Sequence, residues 1–396
     1  MRFRFPVLVS ASGVAGALLA LSLLAGATPA AAQANKVAHG LALQAARAKF
    51  VVVKAKKVFY TQRWNLSGLA AYQPQQQVSG TIRMWGSNYI EDSDLGQYWE
   101  EGFRKYQPGA HIEFHMKSAT AAVPALVFGV ADIGVGRKIT FAEQLLYERY
   151  QNRDPLIVTA ATGSYDVTGW QPGYGIVVSK DNPLTCLSME QLDGIFGAER
   201  LGGWDGTTWH PEWARGPQVN IRTWGQLGLT GDWAHERITP YGLNQRYHQA
   251  AEMSDDILKG SDKWNERLRI YANFVAKNGA LGRDLEADLA HDRYGIAWIA
   301  APTFKLAPQL KVLAISNRTG GQCIPYTLTT VRDRLYPLIS QIYMFANRDQ
   351  GGAVKPLVRE FLRYVVSRQG QEAVERDGKY LPLTAKVADE QAQKVK

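Results

Sequence analysis

From Gly80 onward the chain alternates strand, small-residue turn and helix, and this alternation constrains the fold more than any other feature. "TIRMW" reads as a strand and "GSN" as its turn. "DLGQYWEEGFRKY" then places Leu95, Tyr98, Trp99 and Phe103 at helical spacing. "AHIEFHM" is a second strand. "KSATAAVPALVFG" reads as a small-residue helix interrupted at Pro124, "VADIGVG" as a strand ending in glycines and "TFAEQLLYERY" as a helix. "GYGIVVSKDNP" is a strongly apolar strand, and "SMEQLDGIFG" opens with the capping-box pair Ser188 and Gln191. Further strands are expected at "YGIAWIAA", "LKVLAIS" and "LYPLISQIYMFANR", with a helix at "KPLVREFLRYVVSRQGQEAV". Strands followed by helices in this order imply an α/β fold with largely parallel sheets.

Before Gly80 the chain reads differently. "MRFRF", a long apolar run and "TPAAAQA" form a secretory signal with cleavage expected after Ala34. That makes the mature protein exported, with the periplasm the expected compartment. The next stretch, 35–79, carries Lys36, Arg47, Lys49, Lys54, Lys56, Lys57 and Arg63 and no acid. It therefore holds the whole positive excess of the mature chain, and residues 80–396 balance at 36 basic against 36 acidic. A balanced body gives no basic stripe for nucleic acid. The arm reads as a solvated leader, ending in the Pro/Gln-rich "AAYQPQQQVSG", and it offers contact to an anionic membrane surface. Cys186 and Cys323 are the only cysteines. In an oxidising compartment a disulfide closing a long loop is expected, the alternative being two buried thiols.

Signatures of catalysis are missing: the sequence has no Walker loop, G-x-S-x-G, H-E-x-x-H or C-x-x-C. His111 and His115 would share a strand face, but without a third ligand they do not make a metal site, and no cofactor is expected. Instead, small hydroxyl residues recur where strands meet helices. "WGSN" carries Ser87 and Asn88, and "KSAT" carries Ser118 and Thr120. Backbone N–H groups at a helix start are unpaired and partly positive, so two such junctions facing one cleft can cradle an anion. Taken singly, each is an N-cap. "GVGRK" adds Arg137, whose planar fork suits an oxyanion.

Four ordered stretches carry a resemblance. They are "SGTIRMWGSN" through "SATAAVPALVFGVADIG", "GIVVSKDNPLTCLSMEQLDGIF", "IRTWGQLGLTGDWAHERITPYG" and "PLVREFLRYVVSRQGQEAVERDGKYLPL". Together they span nearly all of 79–384, and the chain resembles the phosphate-type solute-binding proteins of ABC transporters. The resemblance implies two lobes, each a mostly parallel sheet flanked by helices, joined by two hinge strands matching 173–182 and 337–347. On that basis 80–180 with 340–396 is expected to form lobe 1 and 181–339 lobe 2, after a signal at 1–34 and the arm at 35–79. It also implies a monomer that hands a small anionic solute to a permease.

The site residues depart from the family pattern in places. Gly86 and Ser87 match its first anion turn, with Asn88 in the next slot. Ser118 and Thr120 keep the hydroxyls of the second turn without its glycine. Gly136 and Arg137 stand where the family has a Ser followed by Asp or Arg. After "YG" the family has an Arg and a Ser-Gly-Thr turn, whereas here Leu243 is followed by Asn244, Gln245, Arg246, Tyr247, His248 and Gln249. By position this stretch lines the cleft, through Asn244, Gln245 and Arg246; alternatively it is an exposed helix start. The lost hydroxyl loop counts against inorganic phosphate and for a larger or differently shaped anion. Two other readings stay open: a sensor or interaction module on the same fold, and a hydrolase using His248 beside a carboxylate.

Overall fold

The computed structural model describes residues 55–396 apart from 168, 246–247, 272–282 and 301–305; of 283 and 284 only the backbone is described. The signal and the cleavage site lie outside the described residues, as do Arg246 and Tyr247. The order of elements is β1 (Gly80–Gly86), α1 (Asn88–Asp92), α2 (Leu95–Arg104), β2 (Ala110–His115), α3 (Ala122–Val127), β3 (Ile133–Gly136), α4 (Phe141–Gln151) and β4 (Leu156–Thr162). There follow β5 (Tyr174–Ser179), β6 (Cys186–Ser188), α5 (Met189–Phe196), β7 (Gly203–Asp205), β8 (Thr208–His210), β9 (Thr239–Leu243) and α6 (His248–Leu258). Next come β10 (Arg269–Tyr271), α7 (Arg283–Ala290), β11 (Gly295–Ala300), β12 (Leu310–Ser316), α8 (Leu328–Arg332) and β13 (Gln341–Ala346). Three helices close the chain, α9 (Pro356–Val366), α10 (Arg368–Asp377) and α11 (Ala385–Lys394). The expected break at Pro124 does not occur. Pro124 lies in the first turn of α3, where its missing N–H costs nothing.

Two sheets result. The first runs β2-β1-β3-β13-β4 and the second β10-β9-β11-β5-β12-β6. In the first, β1 pairs parallel with β2 and β3, and β13 runs against both β3 and β4. In the second, β9 pairs parallel with β10 and β11, β12 with β6, and β5 runs against β11 and β12. Each sheet thus contains one reversed strand, and these are the strands that follow a crossing from one sheet to the other. The expected boundary at residue 180 therefore moves: β5 already belongs to the second sheet. The crossings are the stretches leading into β5, as far as its first residue Tyr174, and into β13. They run side by side, with the Gly163 N–H donating to the Ser340 carbonyl and the Tyr174 N–H to that of Leu338, both at 2.8 Å. Gly163 is required at this crossing, since a Cβ there would lie 2.0 Å from the Gln171 carbonyl oxygen.

Helix faces pack as their periodicity dictates. In α2, Leu95, Trp99 and Phe103 are fully buried, and the Trp99 indole N–H donates to the Gly370 carbonyl at the start of α10. Burial of each such ring contributes roughly 1.5–3 kcal/mol. On the other face of the first sheet, Val123, Leu126 and Tyr147 from α3 and α4 pack with Phe345 of β13.

The expectation of an unstructured arm up to Gly80 is corrected over residues 55–79, more than half of its length. Residues 55–79 form a strap on the first lobe, with Tyr60, Leu66, Leu69 and Tyr72 buried. The Phe59 and Tyr60 N–H groups donate to the Gly378 carbonyl, and the Trp64 N–H donates to Glu375. The Tyr72 hydroxyl donates at 2.7 Å to Glu360, which is fully buried. The apolar residues of the strap are scattered without period, so composition alone read it as linker.

Candidate functional site

The parallel strands of the first sheet end together, and the residues that follow them converge. Ser87 follows β1, and its N–H donates to the Val135 carbonyl of β3 at 2.9 Å. Gly86 makes this approach possible, because a Cβ there would lie 1.9 Å from the Val135 oxygen. Ser118 caps the 3-10 turn Ala119–Ala121, which packs against β1 and β3. Arg137 follows β3. In open α/β sheets this crevice beyond the carboxyl ends of the strands is where ligands bind.

Arg137 is the centre of the arrangement. One nitrogen, Nη1, donates to Glu252 Oε2 at 2.9 Å, to the Tyr174 hydroxyl at 3.0 Å and to Ser340 Oγ at 3.3 Å. The Tyr174 hydroxyl itself donates to Glu252 Oε2 at 2.7 Å. The Arg137 and Glu252 side chains are 11% and 8% exposed. Burial disfavours the guanidinium charge, but Tyr174 and Glu252 outweigh it and raise the pKa, so Arg137 stays protonated. Burial likewise pushes the Tyr174 phenol well up, keeping it a donor. Tyr89 and Tyr380 lie close enough to act on the same guanidinium. Gln171, with its amide oriented to satisfy both ends, accepts from the Arg137 backbone N–H at 3.1 Å and donates to the Gln341 carbonyl at 3.3 Å.

The elements around Arg137 come from both lobes. β3 and α4 belong to the first sheet's lobe, α6 to the second, and Tyr174 and Ser340 to the crossings. Helix α6 presents His248, Glu252 and Asp255 along one face, at i, i+4 and i+7. Each meets a polar or charged partner across the cleft. His248 Nε2 lies 3.2 Å from Glu143 Oε2, and Lys138 Nζ lies 2.7 Å from Asp255 Oδ2. Burial raises the Glu143 carboxyl, but His248 and the Thr140 hydrogen bonds together outweigh it and hold the group below its usual value. Nearer the rim, the Thr207 hydroxyl of the β7–β8 hairpin donates to Glu148 of α4 at 2.6 Å, and Phe141 packs on Trp204 with ring centres 4.9 Å apart. Behind Glu252 lies a cavity of about 210 Å3, lined by Lys138, Glu252, Asp256, Ile339, Ser340, Gln341 and Tyr343. A wider surface depression of about 590 Å3 between the strap and the start of α11 is remote from this chemistry.

The residues singled out by sequence are brought together in part. Ser87 is buried at the crevice, and its hydroxyl does not cap α1. Asn88 turns back onto its own helix, donating to Asp92 at 2.7 Å. Ser118 and Thr120 are exposed and bonded to each other at 2.7 Å. The Asn244 N–H extends the ladder of β9 by donating to Tyr271, and Gln245 is an exposed turn residue before α6. Of the stretch "NQRYHQ", His248 and Gln249 open α6, Asn244 and Gln245 precede it, and Arg246 and Tyr247 lie outside the described residues. What reaches Arg137 from that lobe is Glu252, one turn beyond His248. Sequence reasoning missed Glu252, Tyr174 and Ser340; the one available signal was the shared face of His248, Glu252 and Asp255. His111 and His115 do not form a metal site. No group of three metal-ligating side chains occurs among the described residues, and His115 stacks on Trp85. Cys186 and Cys323 form a disulfide joining β6 to the segment after β12.

Two lobes with a charged crevice between them define a binding-protein architecture. The sequence model of the PBP superfamily domain, that of the periplasmic binding proteins, matches residues 72–369, and the chain belongs to that superfamily. It is 28% identical over 323 residues to the phosphate-binding protein PstS of Pseudomonas aeruginosa, covering 81% of this chain and 88% of that one. Among solved structures it is similar to an ABC-type phosphate transport receptor from Vibrio cholerae (16% identity, TM-score 0.46, 76% of this chain and 99% of that one). It is also similar to PstS from Borrelia burgdorferi (13% identity, TM-score 0.47, 77% and 100%).

Proposed function

We propose that this protein is the solute-binding component of an ABC transporter, works in the periplasm and captures a small oxyanion in the interlobe crevice, with inorganic phosphate the first candidate. The observation that carries this reading is the environment of Arg137. A buried, permanently charged fork stands where parallel strands end, and an anionic oxygen shares its hydrogen bonds with neutral hydroxyls. The relation to phosphate-binding proteins over most of the chain supports phosphate as the ligand class. In this reading Arg137 supplies the charge, Ser87, Tyr174 and Ser340 supply hydroxyl donors, and Ser118 and Thr120 flank the entrance. Asn88 keeps a place at the mouth, with Asn244 and Gln245 opposite it, and Arg246 is kept as a candidate from the sequence alone. No helix among the described residues is long and apolar enough to cross a membrane.

Capture follows from geometry rather than bond chemistry. Two lobes joined by paired crossings can close around a solute by hinge motion. The hydrolase reading placed His248 beside a carboxylate; the carboxylate it meets is Glu143, which also serves the capping box of α4.

The test is titration calorimetry of phosphate, and separately sulfate, into mature protein stripped of ligand by unfolding and refolding. Binding of phosphate is expected, and Arg137→Ala is expected to weaken it by about 1.5–3 kcal/mol, the worth of a charged hydrogen bond. Absence of heat with either anion would overturn phosphate-type capture. Export is checked by intact mass, which is expected to show a mature chain beginning at Asn35.

A further inference from the structure

We infer that Glu252 is a tethered anion occupying the crevice's own oxyanion site, so that the lobes close without solute and a captured oxyanion must displace this carboxylate. The inference rests on the capture reading above and adds how the site is regulated.

Glu252 binds as a ligand would. Its Oε2 receives Arg137 at 2.9 Å, Tyr174 at 2.7 Å and Ser340 at 3.3 Å, donors drawn from the first lobe and from both crossings. These converge on a single oxygen. The other oxygen, Oε1, is buried and has no hydrogen-bond partner among the described residues. A carboxylate serving only to hold structure gains by pairing both oxygens, and a buried unpaired one is costly. Glu252 therefore holds the site incompletely, and a ligand with more acceptor oxygens can use the same donors better.

The position of Glu252 makes the occupation a latch. It comes from α6, in the lobe opposite Arg137. The pairs on either side, Lys138 with Asp255 and Glu143 with His248, also span the lobes. The three contacts lie along one helix face, so α6 bridges the crevice through the protein's own side chains. A phosphate entering beside Glu252 would bring like charge into a buried space, so solute and Glu252 exclude each other. Solute must therefore either capture a transiently open form or release the helix face.

The experiment uses mature protein stripped of ligand, with small-angle X-ray scattering and phosphate calorimetry run in parallel. Stripped wild type is expected to scatter as a compact particle whose radius of gyration changes little on adding phosphate. Glu252→Gln is expected to scatter as a larger particle that contracts with phosphate, and to bind phosphate at least tenfold more tightly. An extended wild type that contracts on phosphate would overturn the inference, and so would a variant as compact as wild type with unchanged affinity. Should the variant not fold, the wild-type scattering decides alone. Should neither protein bind phosphate, the capture reading fails for that ligand, whereas the scattering of the stripped proteins still accepts or rejects the latch.

Discussion

At the scale of single residues, the crevice is a place where charges are confined and their protonation is set by neighbours. Asp256, next to Glu252 along the cavity wall, is pushed up to about 7 by burial; Lys138 opposes this, and Glu252 and Asp255 add to it. In the unfolded chain the same group titrates near 3.8. Between these values the folded protein holds a proton that the unfolded chain has lost, so stability falls as pH rises from about 4 to 7. Asp256→Asn is expected to remove that slope. Urea unfolding should find the variant gaining on wild type by about 1 kcal/mol or more between pH 4 and pH 8. Arg137 was legible in the sequence because an arginine after a glycine-ended strand has few structural uses. Glu252 was not. Within "AAEMSDD" it reads as a solvated helix face, and what makes it otherwise is Arg137, 115 positions away.

At the scale of elements, turn chemistry and helical period were good guides. The Ser188–Gln191 capping box forms as read, and α2 buries the face its spacing marks. The strap was illegible for a physical reason. It has almost no regular secondary structure of its own, and its buried residues gain partners from distant parts of the chain: Tyr60 meets Asp166 and the turn at Gly378, and Tyr72 meets Gln107 and Glu360. Its worth can be measured. Tyr72→Phe leaves the Glu360 carboxylate short of a donor and is expected to cost about 1.5–3 kcal/mol in chemical denaturation. A chain beginning at Gly80 should melt well below the mature protein, because it exposes the apolar surface that Tyr60, Leu66, Leu69 and Tyr72 cover.

At the scale of the whole molecule, strand and helix order told the α/β fold class and the family resemblance implied the two lobes, but neither told where the chain changes sheet. The long apolar runs at 173–182 and 337–347 drew attention because both strands are buried, whereas the crossings are the less regular residues leading into those strands. Those crossings carry Tyr174 and Ser340, so the joints that let the lobes move also furnish donors to the anion site. The Cys186–Cys323 bridge acts on a different part of the molecule. It spans 137 positions, and replacing both cysteines by serine is expected to lower stability by about 2–5 kcal/mol in guanidinium unfolding.

Both of its ends lie in the second lobe, at the edge strand β6 and just after β12. No covalent link of this bridge spans the crevice or the crossings. In the export compartment proposed above, oxidants would act on this protein as agents of maturation, fixing one half so that it lasts. They hold no lever on the gate, and solute uptake by a chain that stays folded should be indifferent to the redox state of its surroundings.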